Sequence, residues 1–417
     1  MNHLRETYGT PVTLRLPGSP AVVAFDDAEA NKQIFRGAAD DLHAGEANEP
    51  LRPIVGSNSL LLLDGSRHLR ERRLLLPPFH GERMTRYGEV MRDVTLDSMS
   101  RWPLDQVFSI QPHNQAITLD IILRTVFGVG EGPRRDALRA NLADLILDFS
   151  KPQLLVAWLH KDLGPRSPWG RFIRTRARTD ELLYAEIDAR RADDRRGDDI
   201  FSMLLGAEYD DGSTMSREEL RDELVTMLVA GHETTATALS WTMHHLIEHP
   251  SVQARVHEEL DRVMGRDAID PDRSKELVFL DAVIKETLRV IPVIAAVGRV
   301  LKKPTTIAGW DLPAGVLVSP SIYLTHRNPD IYERPERFEP ERFLGRRPNP
   351  YEWLPFGGGV RRCIGMAFAL FEMRIVLATA LQKHRVRRAP GASHRPVRRS
   401  VTLAPADGTP IVLTPRD

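Results

Sequence analysis

The chain has 417 residues, of which 42 % are hydrophobic and 27 % charged, as in an ordinary globular protein. Basic and acidic residues number 57 each, so no overall field attracts nucleic acid or an anionic membrane. The first twenty residues are polar, and no eighteen consecutive residues are all apolar. These features predict a cytoplasmic protein without a signal peptide or a membrane span.

The first sixty residues carry the first β signals of the chain. Short apolar runs at 12–16 and 21–25 flank Pro17-Gly18, which is the pattern of a β-hairpin. From about residue 27 the periodicity becomes helical, and an irregular loop at 43–59 leads into four consecutive leucines at 60–63.

A helix is predicted to begin at Asp64-Gly65-Ser66 and to end at Pro77-Pro78. Its arginine-rich face carries His68 and Arg72, which lie on one side of the helix because they are four residues apart. By itself such a face is typical of a solvated surface. Successive amphipathic helices are then predicted over 85–200.

The longest predicted helix begins at the capping box Ser216-x-x-Glu219 and ends at His249-Pro250. Its middle, 230–235, reads Ala-Gly-His-Glu-Thr-Thr, which combines glycine, an acid and two hydroxyls in a helix long enough to be core. Gly231 favours a close approach or a local opening, and Thr234 can bond the carbonyl one turn back and bend the helix, so together they predict a water-holding notch. A zinc protease is excluded because the second histidine of its motif is absent.

Another helix is predicted over 275–291, where Glu286 and Arg289 lie three residues apart on one face. Alone, such a pair is common on helix surfaces. After it, an apolar run at 293–297 and an alternating stretch at 305–319 predict a β-sheet.

The glycine-rich loop 356–365, Phe-Gly-Gly-Gly-Val-Arg-Arg-Cys-Ile-Gly, holds the single cysteine, Cys363. A lone thiol makes neither an internal disulfide nor a four-cysteine zinc site. It can be a nucleophile, a redox sensor, an inert buried side chain or an axial ligand to a metal such as haem iron. Arg361, Arg362 and a predicted helix at 366–381, which begins just after the cysteine, favour the thiolate.

The loop pattern Phe-x-x-Gly-x-Arg-x-Cys-x-Gly resembles the haem-binding signature of the cytochrome P-450 family of haem-thiolate monooxygenases. The resemblance implies the fold of that family, mainly α with a smaller β-sheet region (α+β). It implies one domain over 1–417, with β-rich parts at about 10–60 and 292–330 and helices in the remainder. Haem b would lie between the long central helix and the cysteine loop.

The resemblance also implies roles for single residues. Cys363 is the expected ligand of iron, and the other expected contacts of haem are His68, Arg72, Arg299, Phe356, Arg361 and Gly365. Glu233 and Thr234 match the oxygen-activating acid–alcohol pair, with Thr234 as the hydroxyl that hydrogen-bonds to the oxygen and Glu233 as the relay to solvent. Glu286, Arg289 and Arg342 match a buried structural network. The expected substrate pocket comprises Leu62, Leu63, Val229, Ala230, Val293 and Ile294, with a lid near 154–158.

The implied activity inserts one atom of dioxygen into a C–H bond or an alkene, and the second atom leaves as water. The apolar pocket predicts a lipophilic substrate of the steroid, terpenoid, fatty acid or polyketide class. Electrons are expected from a separate acidic ferredoxin or flavodoxin with its reductase, which would dock near arginines 70, 73, 361 and 362 of a monomer.

Two alternatives stay open at this stage. One is a haem-thiolate protein of altered chemistry, such as a peroxide-driven hydroxylase or an isomerase. Glu233 and Thr234 argue against it, because such relatives tend to lose that pair. The other is a non-enzymatic haem sensor or a structural helical protein, which would need neither an apolar pocket nor a proton relay.

Overall fold

The computed structural model describes residues 2–15, 20–79, 83–129, 132–149, 159–164, 166–192, 197–393 and 395–416. Helices make up most of it. In chain order they are α1 (Asn2–Tyr8), α2 (Ala28–Arg36), α3 (Ala44–Ala47), α4 (Arg52–Val55), α5 (Gly65–Leu75), α6 (Arg83–Met99), α7 (Gln111–Thr125), α8 (Pro133–Phe149), α9 (Pro168–Ala192), α10 (Ile200–Leu205), α11 (Arg217–Glu248), α12 (Pro250–Met264), α13 (Val278–Val290), α14 (Ile322–Thr325) and α15 (Met366–Lys383). None of them, within those ranges, is both long and apolar enough for a bilayer crossing.

The strands form small sheets. They are β1 (Val12–Leu14), β2 (Val22–Phe25), β3 (Leu42–His43), β4 (Val107–Ser109), β5 (Arg299–Leu301), β6 (Thr305–Ile307), β7 (Trp310–Leu312), β8 (Leu317–Pro320), β9 (His384–Arg388), β10 (Pro396–Arg399), β11 (Thr402–Pro405) and β12 (Pro410–Pro415). The main sheet has the order β1-β2-β8-β5-β3, and only its β2–β8 pair is parallel. A second sheet has the order β4-β12-β9, while β6–β7 and β10–β11 form separate pairs.

Helix α11 organises the helical part of the fold. The Ser216 hydroxyl accepts a hydrogen bond from the Glu219 amide, and the Glu219 carboxylate accepts one from the Ser216 amide, so the predicted capping box is formed. Helices α7, α9, α13 and α15 all pack on α11. Most of its side chains are buried, so tertiary packing rather than solvent exposure stabilises this 32-residue rod.

Most sequence expectations for the elements hold, with differences at the start of α13 and in the strands of the second half of the chain and at β4. The strands β1 and β2 pair as the predicted hairpin, although its turn at 16–19 lies outside the described residues. Helix α13 begins at Val278 rather than at 275, because a short 3₁₀ turn precedes it. Strands also occur where the sequence predicted none, at β4 and from β9 to β12. The predicted lid near 154–158 lies outside the described residues.

Candidate active site

The cysteine loop packs against α2 and leads directly into α15. The Cys363 amide donates to the carbonyl of Phe356 at 2.9 Å, which closes the loop on itself. Gly359 has φ +64°, and a β-carbon there would collide with the carbonyl oxygen of Phe35, so this glycine is required by another backbone. Gly365, in contrast, has no atom within 4 Å of the position where a β-carbon would lie. The loop therefore fits tightly on one side and faces open space on the other.

The side chain of Cys363 is exposed, yet burial by the surrounding protein raises the pKa of its thiol. A hydrogen bond from the Gly365 amide and the charges of Arg72 and Arg362 act in the opposite direction. These groups favour the thiolate, as expected from the sequence, but in the protein alone desolvation outweighs them and the pKa of the thiol is raised. A thiol of this kind becomes a thiolate when a metal ion binds it.

Helix α5 presents His68 and Arg72 to the same region. His68 is buried, and its Nδ1 atom has no hydrogen-bond partner among the described residues. Burial lowers the pKa of His68 to about 3, assisted by the charges of Arg361, Arg72 and Arg299. Arg72 donates to the carbonyl of Arg362 at 2.7 Å, which ties the helix to the cysteine loop.

Arg299 and Arg361 complete a cluster of cations. Arg299, at the start of β5, is buried, and within the described residues its guanidinium donates to the adjacent carbonyl of Gly298 at 2.7 Å and to no other acceptor. Burial and the charge of Arg361 lower the pKa of Arg299 to about 10. Arg361 contacts Asp64 at 2.5 Å, and Asp64 also accepts a hydrogen bond from the Gly45 amide at 2.8 Å. In the described chain, Asp64 is the one carboxylate that is paired with this cluster.

The middle of α11 has one side that the protein leaves open. Met227, Gly231 and Thr234 are half-buried and Ala230 is exposed, although the helix around them is largely buried. These positions recur at three- and four-residue spacing, so they share one side of the helix. The Thr234 hydroxyl donates to the Ala230 carbonyl at 2.6 Å, as the sequence predicted.

The predicted pocket residues differ in burial. Leu62 and Leu63 are buried, and Arg361 donates to the main-chain carbonyl of Leu63, which places this loop beside the cation cluster. Val293 is buried, while Val229 and Ile294 are half-buried. No contact among the described residues shows all six predicted pocket residues around a single space.

Glu233 points to a different side of α11. Its Oε2 atom accepts a hydrogen bond from Gln115 of α7 at 2.7 Å. Burial raises the pKa of Glu233, whereas the Gln115 hydrogen bond and the charge of Arg399 lower it. Gln115 and Arg399 were not found from the sequence. Gln115 lies 118 residues from Glu233, and no local pattern marks such a pair.

The predicted structural network is assembled at one end of α13. Arg289 donates to both oxygens of Glu286, at 2.7 and 2.8 Å, and both side chains are fully buried. Arg342 lies 3.5 Å from Glu286 and pairs with Glu339 at 2.8 Å. The remaining Arg289 donors bind main-chain carbonyls, which include that of His326 at 2.8 Å.

The residues present fit haem b. The cations Arg72, Arg299 and Arg361 surround the ring of His68, and within the described residues one carboxylate, Asp64, pairs with them. The two propionates of haem carry two negative charges, which would balance the remaining positive charge. The accessible sulfur of Cys363 is a suitable iron ligand. Phe356 is half-buried and packs edge-on against Trp353, with ring centroids 6.0 Å apart.

Comparison with known proteins gives the same assignment. A sequence model of the family described as cytochrome P-450 matches residues 1–409. A Mycobacterium tuberculosis (strain ATCC 25618 / H37Rv) protein named as cytochrome P-450 135B1 is 40 % identical over 406 residues, which cover 97 % of this chain and 84 % of the relative. Cytochrome P-450 138 of Mycobacterium bovis (strain ATCC BAA-935 / AF2122/97) is 37 % identical over 98 % of this chain and 90 % of its own.

Solved structures agree with the fold. A retinoic acid-bound cyanobacterial CYP120A1 superposes with a TM-score of 0.88 at 27 % identity, over 100 % of this chain and 94 % of that one. The haem domain of cytochrome P-450DA gives a TM-score of 0.88 at 23 % identity, over 99 % and 92 %, which supports the fold alone. With the family model, the relatives and these structures in agreement, the chain belongs to the cytochrome P-450 family of haem-thiolate monooxygenases.

Proposed function

We propose that the protein hydroxylates or epoxidises a lipophilic small molecule, with Thr234 and Glu233 as the residues that handle protons. The observation that carries the proposal is the open side of α11, where Thr234 is held by its bond to Ala230 while Glu233 faces a neighbouring side of the helix. When bound, thiolate-ligated haem supplies the activation of dioxygen and the cleavage of its O–O bond.

The protein's own residues divide the remaining tasks. Cys363 binds iron, and His68, Arg72, Arg299 and Arg361 hold the propionates. Thr234 offers a hydroxyl at the open side of the helix. Glu233 has a pKa raised by burial, which brings the carboxyl closer to the range in which an acid exchanges protons near neutral pH.

The substrate class rests on the apolar side chains expected near the open side of α11. Val229, Ala230 and Ile294 are apolar and incompletely buried, so a lipophilic ligand would gain by covering them. The structural neighbour that binds retinoic acid, a largely apolar molecule, supports this choice. Steroids, terpenoids, fatty acids and polyketides are the classes to titrate, with a change in the spin state of the ferric haem as the readout.

The electron donor is proposed to be an acidic ferredoxin or flavodoxin, with its own reductase, that docks beside the cysteine loop. The four arginines expected there are not equivalent. Arg361 is turned inward to Asp64, Arg70 pairs with Asp211 at 2.9 Å, and Arg73 pairs with Asp210 at 3.2 Å. Arg362 is exposed and pairs with no carboxylate in the described ranges, so it is the strongest candidate for a partner contact.

A single-domain monomer in the cytoplasm, as the sequence predicts, is consistent with this scheme. A reducing compartment would keep Cys363 available as a ligand.

The proton-handling role is tested by Thr234→Ala, with Thr242→Ala as the matched control. Thr242 makes the same bond to a carbonyl one turn back, to Ala238 at 2.9 Å, but it is fully buried. In Thr234→Ala we expect less product for each electron pair consumed and more hydrogen peroxide released, while Thr242→Ala stays coupled. Unchanged coupling in Thr234→Ala would show that the assigned role is wrong.

A further inference from the structure

The cleft beside Glu233 contains two residues that the proposed function does not use. We propose that Gln115 is the positioning residue for the Glu233 carboxyl, and that Arg399 controls the charge of that carboxyl from across the cleft. The inference rests on the proposed role of Glu233 and deepens it. It assigns the entry of protons to a side of α11 other than the open side that carries Thr234.

Gln115 is fixed to α11 at two points. Its side-chain amide donates to Glu233 at 2.7 Å, and its main-chain carbonyl lies 3.0 Å from Nε2 of His232. Burial lowers the pKa of His232 to about 4, so at neutral pH its ring is uncharged and Nε2 is the donor to that carbonyl. Thr118, one turn along α7, donates to the carbonyl of His232 at 3.2 Å. Helix α7 therefore has a fixed register at this point, which fixes the direction of the Glu233 carboxyl.

The cleft gives Glu233 access to solvent. It has a volume of about 940 Å³ and is bounded by α7, α8, α11 and the end of β10. Three alanines, Ala116, Ala140 and Ala143, line its walls and leave it wide. A polar acid at the wall of an open cleft can exchange protons with water that enters it.

Among the described residues, the charged or titratable groups that line the cleft are Asp136 and Arg139 from α8, His232 and Glu233 from α11, and Arg399 from β10. Arg139 pairs with Asp120 of α7 at 2.9 Å, so its charge is offset. Arg399 is half-buried and lowers the pKa of Glu233, although it pairs with no carboxylate in the part of the chain that is described. Of the two arginines that line the cleft, Arg399 is therefore the one without a carboxylate partner in the described ranges.

Gln115 and Arg399 both lower the pKa of Glu233. Burial raises the pKa of Glu233, and both neighbours partly oppose that rise; the hydroxyl of Thr237 adds a smaller effect of the same sign. Removal of either neighbour should therefore raise the pKa further. The carboxyl would then ionise at a higher pH, and loss of Gln115 would also free it to rotate.

The first test uses no turnover. The infrared C=O stretch of protonated Glu233 is followed against pH in the ferric, substrate-free holoenzyme, and it is identified as the band that Glu233→Gln removes. In Gln115→Met we expect the band to shift in frequency and its titration midpoint to move to higher pH. In Arg399→Gln we expect the midpoint to rise with little change in frequency.

Matched controls are available on the same elements. Gln111→Leu removes a buried amide one turn before Gln115 on α7, and Arg139→Gln removes the paired arginine of the cleft. Both should retain the wild-type band. A Gln115→Met protein with the wild-type frequency and midpoint would overturn the proposal. If Gln115→Met does not fold, Gln115→Ala tests the positioning role and Arg399→Gln tests the charge effect by the same infrared titration.

Turnover separates this inference from the proposed function. We expect Gln115→Met to slow coupled product formation about tenfold, which is a part of the roughly 10²–10⁴-fold that a positioned proton donor contributes. We also expect the pH dependence of turnover to shift to higher pH. If Glu233→Gln leaves coupled turnover unchanged, the proposed role of Glu233 is itself wrong. If Glu233→Gln impairs turnover but Gln115→Met behaves as wild type, only the positioning role is overturned.

Discussion

Gly359 lies directly against the main-chain carbonyl of Phe35, so the cysteine loop rests on the last turn of helix α2. The neighbouring Gly358 meets the ring of the same phenylalanine. Two contacts with one residue thus define how far the loop can stand from α2. The position of Cys363 follows from this backbone contact as well as from its own hydrogen bonds.

Replacing Gly359 with alanine should displace the cysteine loop. The residue has φ +64°, where an L side chain costs about 1–2 kcal/mol, and a β-carbon would in addition collide with Phe35. Gly357→Ala is the matched control, because Gly357 has φ +65° but no atom within 4 Å of its β-carbon position. We expect Gly359→Ala to lose most haem in reconstitution, measured by the absorption of the reduced carbon monoxide complex, and Gly357→Ala to retain it. Equal haem content in the two variants would contradict the prediction.

The sequence identifies the elements of the site because their signals are local. The capping box at Ser216 and Glu219 marks the start of α11, and Thr234 bonds to Ala230 within the same helical turn. The order of the motifs along the chain also predicts the family and the fold. Such features need no knowledge of what packs against them.

The remaining features depend on tertiary contacts. Arg361 and Arg362 are neighbours in sequence, yet one turns inward to Asp64 and the other to solvent. Strand β9 reads His-Arg-Val-Arg-Arg and buries only Val386, so its composition resembles an exposed loop although it pairs with β12. Neither outcome follows from propensity, because distant packing partners decide it.

The cation cluster predicts that one substitution has opposite effects on the two forms of the protein. Arg299→Met removes a buried guanidinium whose positive charge is disfavoured by burial and by the neighbouring charge of Arg361. The apoprotein of this variant should therefore be at least as resistant to urea as the wild type. The holoprotein should lose haem about ten- to a hundredfold faster, since a charge-assisted hydrogen bond contributes about 1.5–3 kcal/mol. Haem transfer to an excess of a scavenger protein measures that rate. Lys302→Met, on the surface near the same strand, is the control, and an unchanged haem-transfer rate in Arg299→Met would contradict the assignment.

The rate of haem reduction by the electron donor should depend on the charge of Arg362. Arg362→Glu should slow reduction of the haem by an acidic ferredoxin several-fold at low ionic strength and weaken its dependence on salt, because a charge at the rim of an interface acts mainly on association. Arg398→Glu makes the same change of charge on strand β10 and should leave the rate unaltered. Stopped-flow absorption under carbon monoxide records the step. An unchanged rate in Arg362→Glu would remove this residue from the proposed docking surface.

His326 should make the fold sensitive to acid. Its Nε2 accepts from the Leu354 amide at 2.8 Å and its Nδ1 lies 3.1 Å from the Arg289 carbonyl, so the buried ring is neutral with the proton on Nδ1. Burial, with the charge of Arg289, lowers its pKa from 6.5 to about 3. Between these pH values the unfolded chain binds a proton that the native chain does not. The contribution of His326 to the free energy of unfolding is therefore fully present above pH 6.5 and falls as the pH approaches 3. Each such proton contributes a slope of up to about 1.4 kcal/mol per pH unit.

His326→Gln retains an acceptor for Leu354 but cannot titrate, and we expect it to be less stable at pH 7 by about 1–3 kcal/mol. Its stability should also fall less steeply in urea unfolding series from pH 7 to pH 4. Wild-type and variant curves that run parallel over this range would show that His326 does not carry the acid sensitivity.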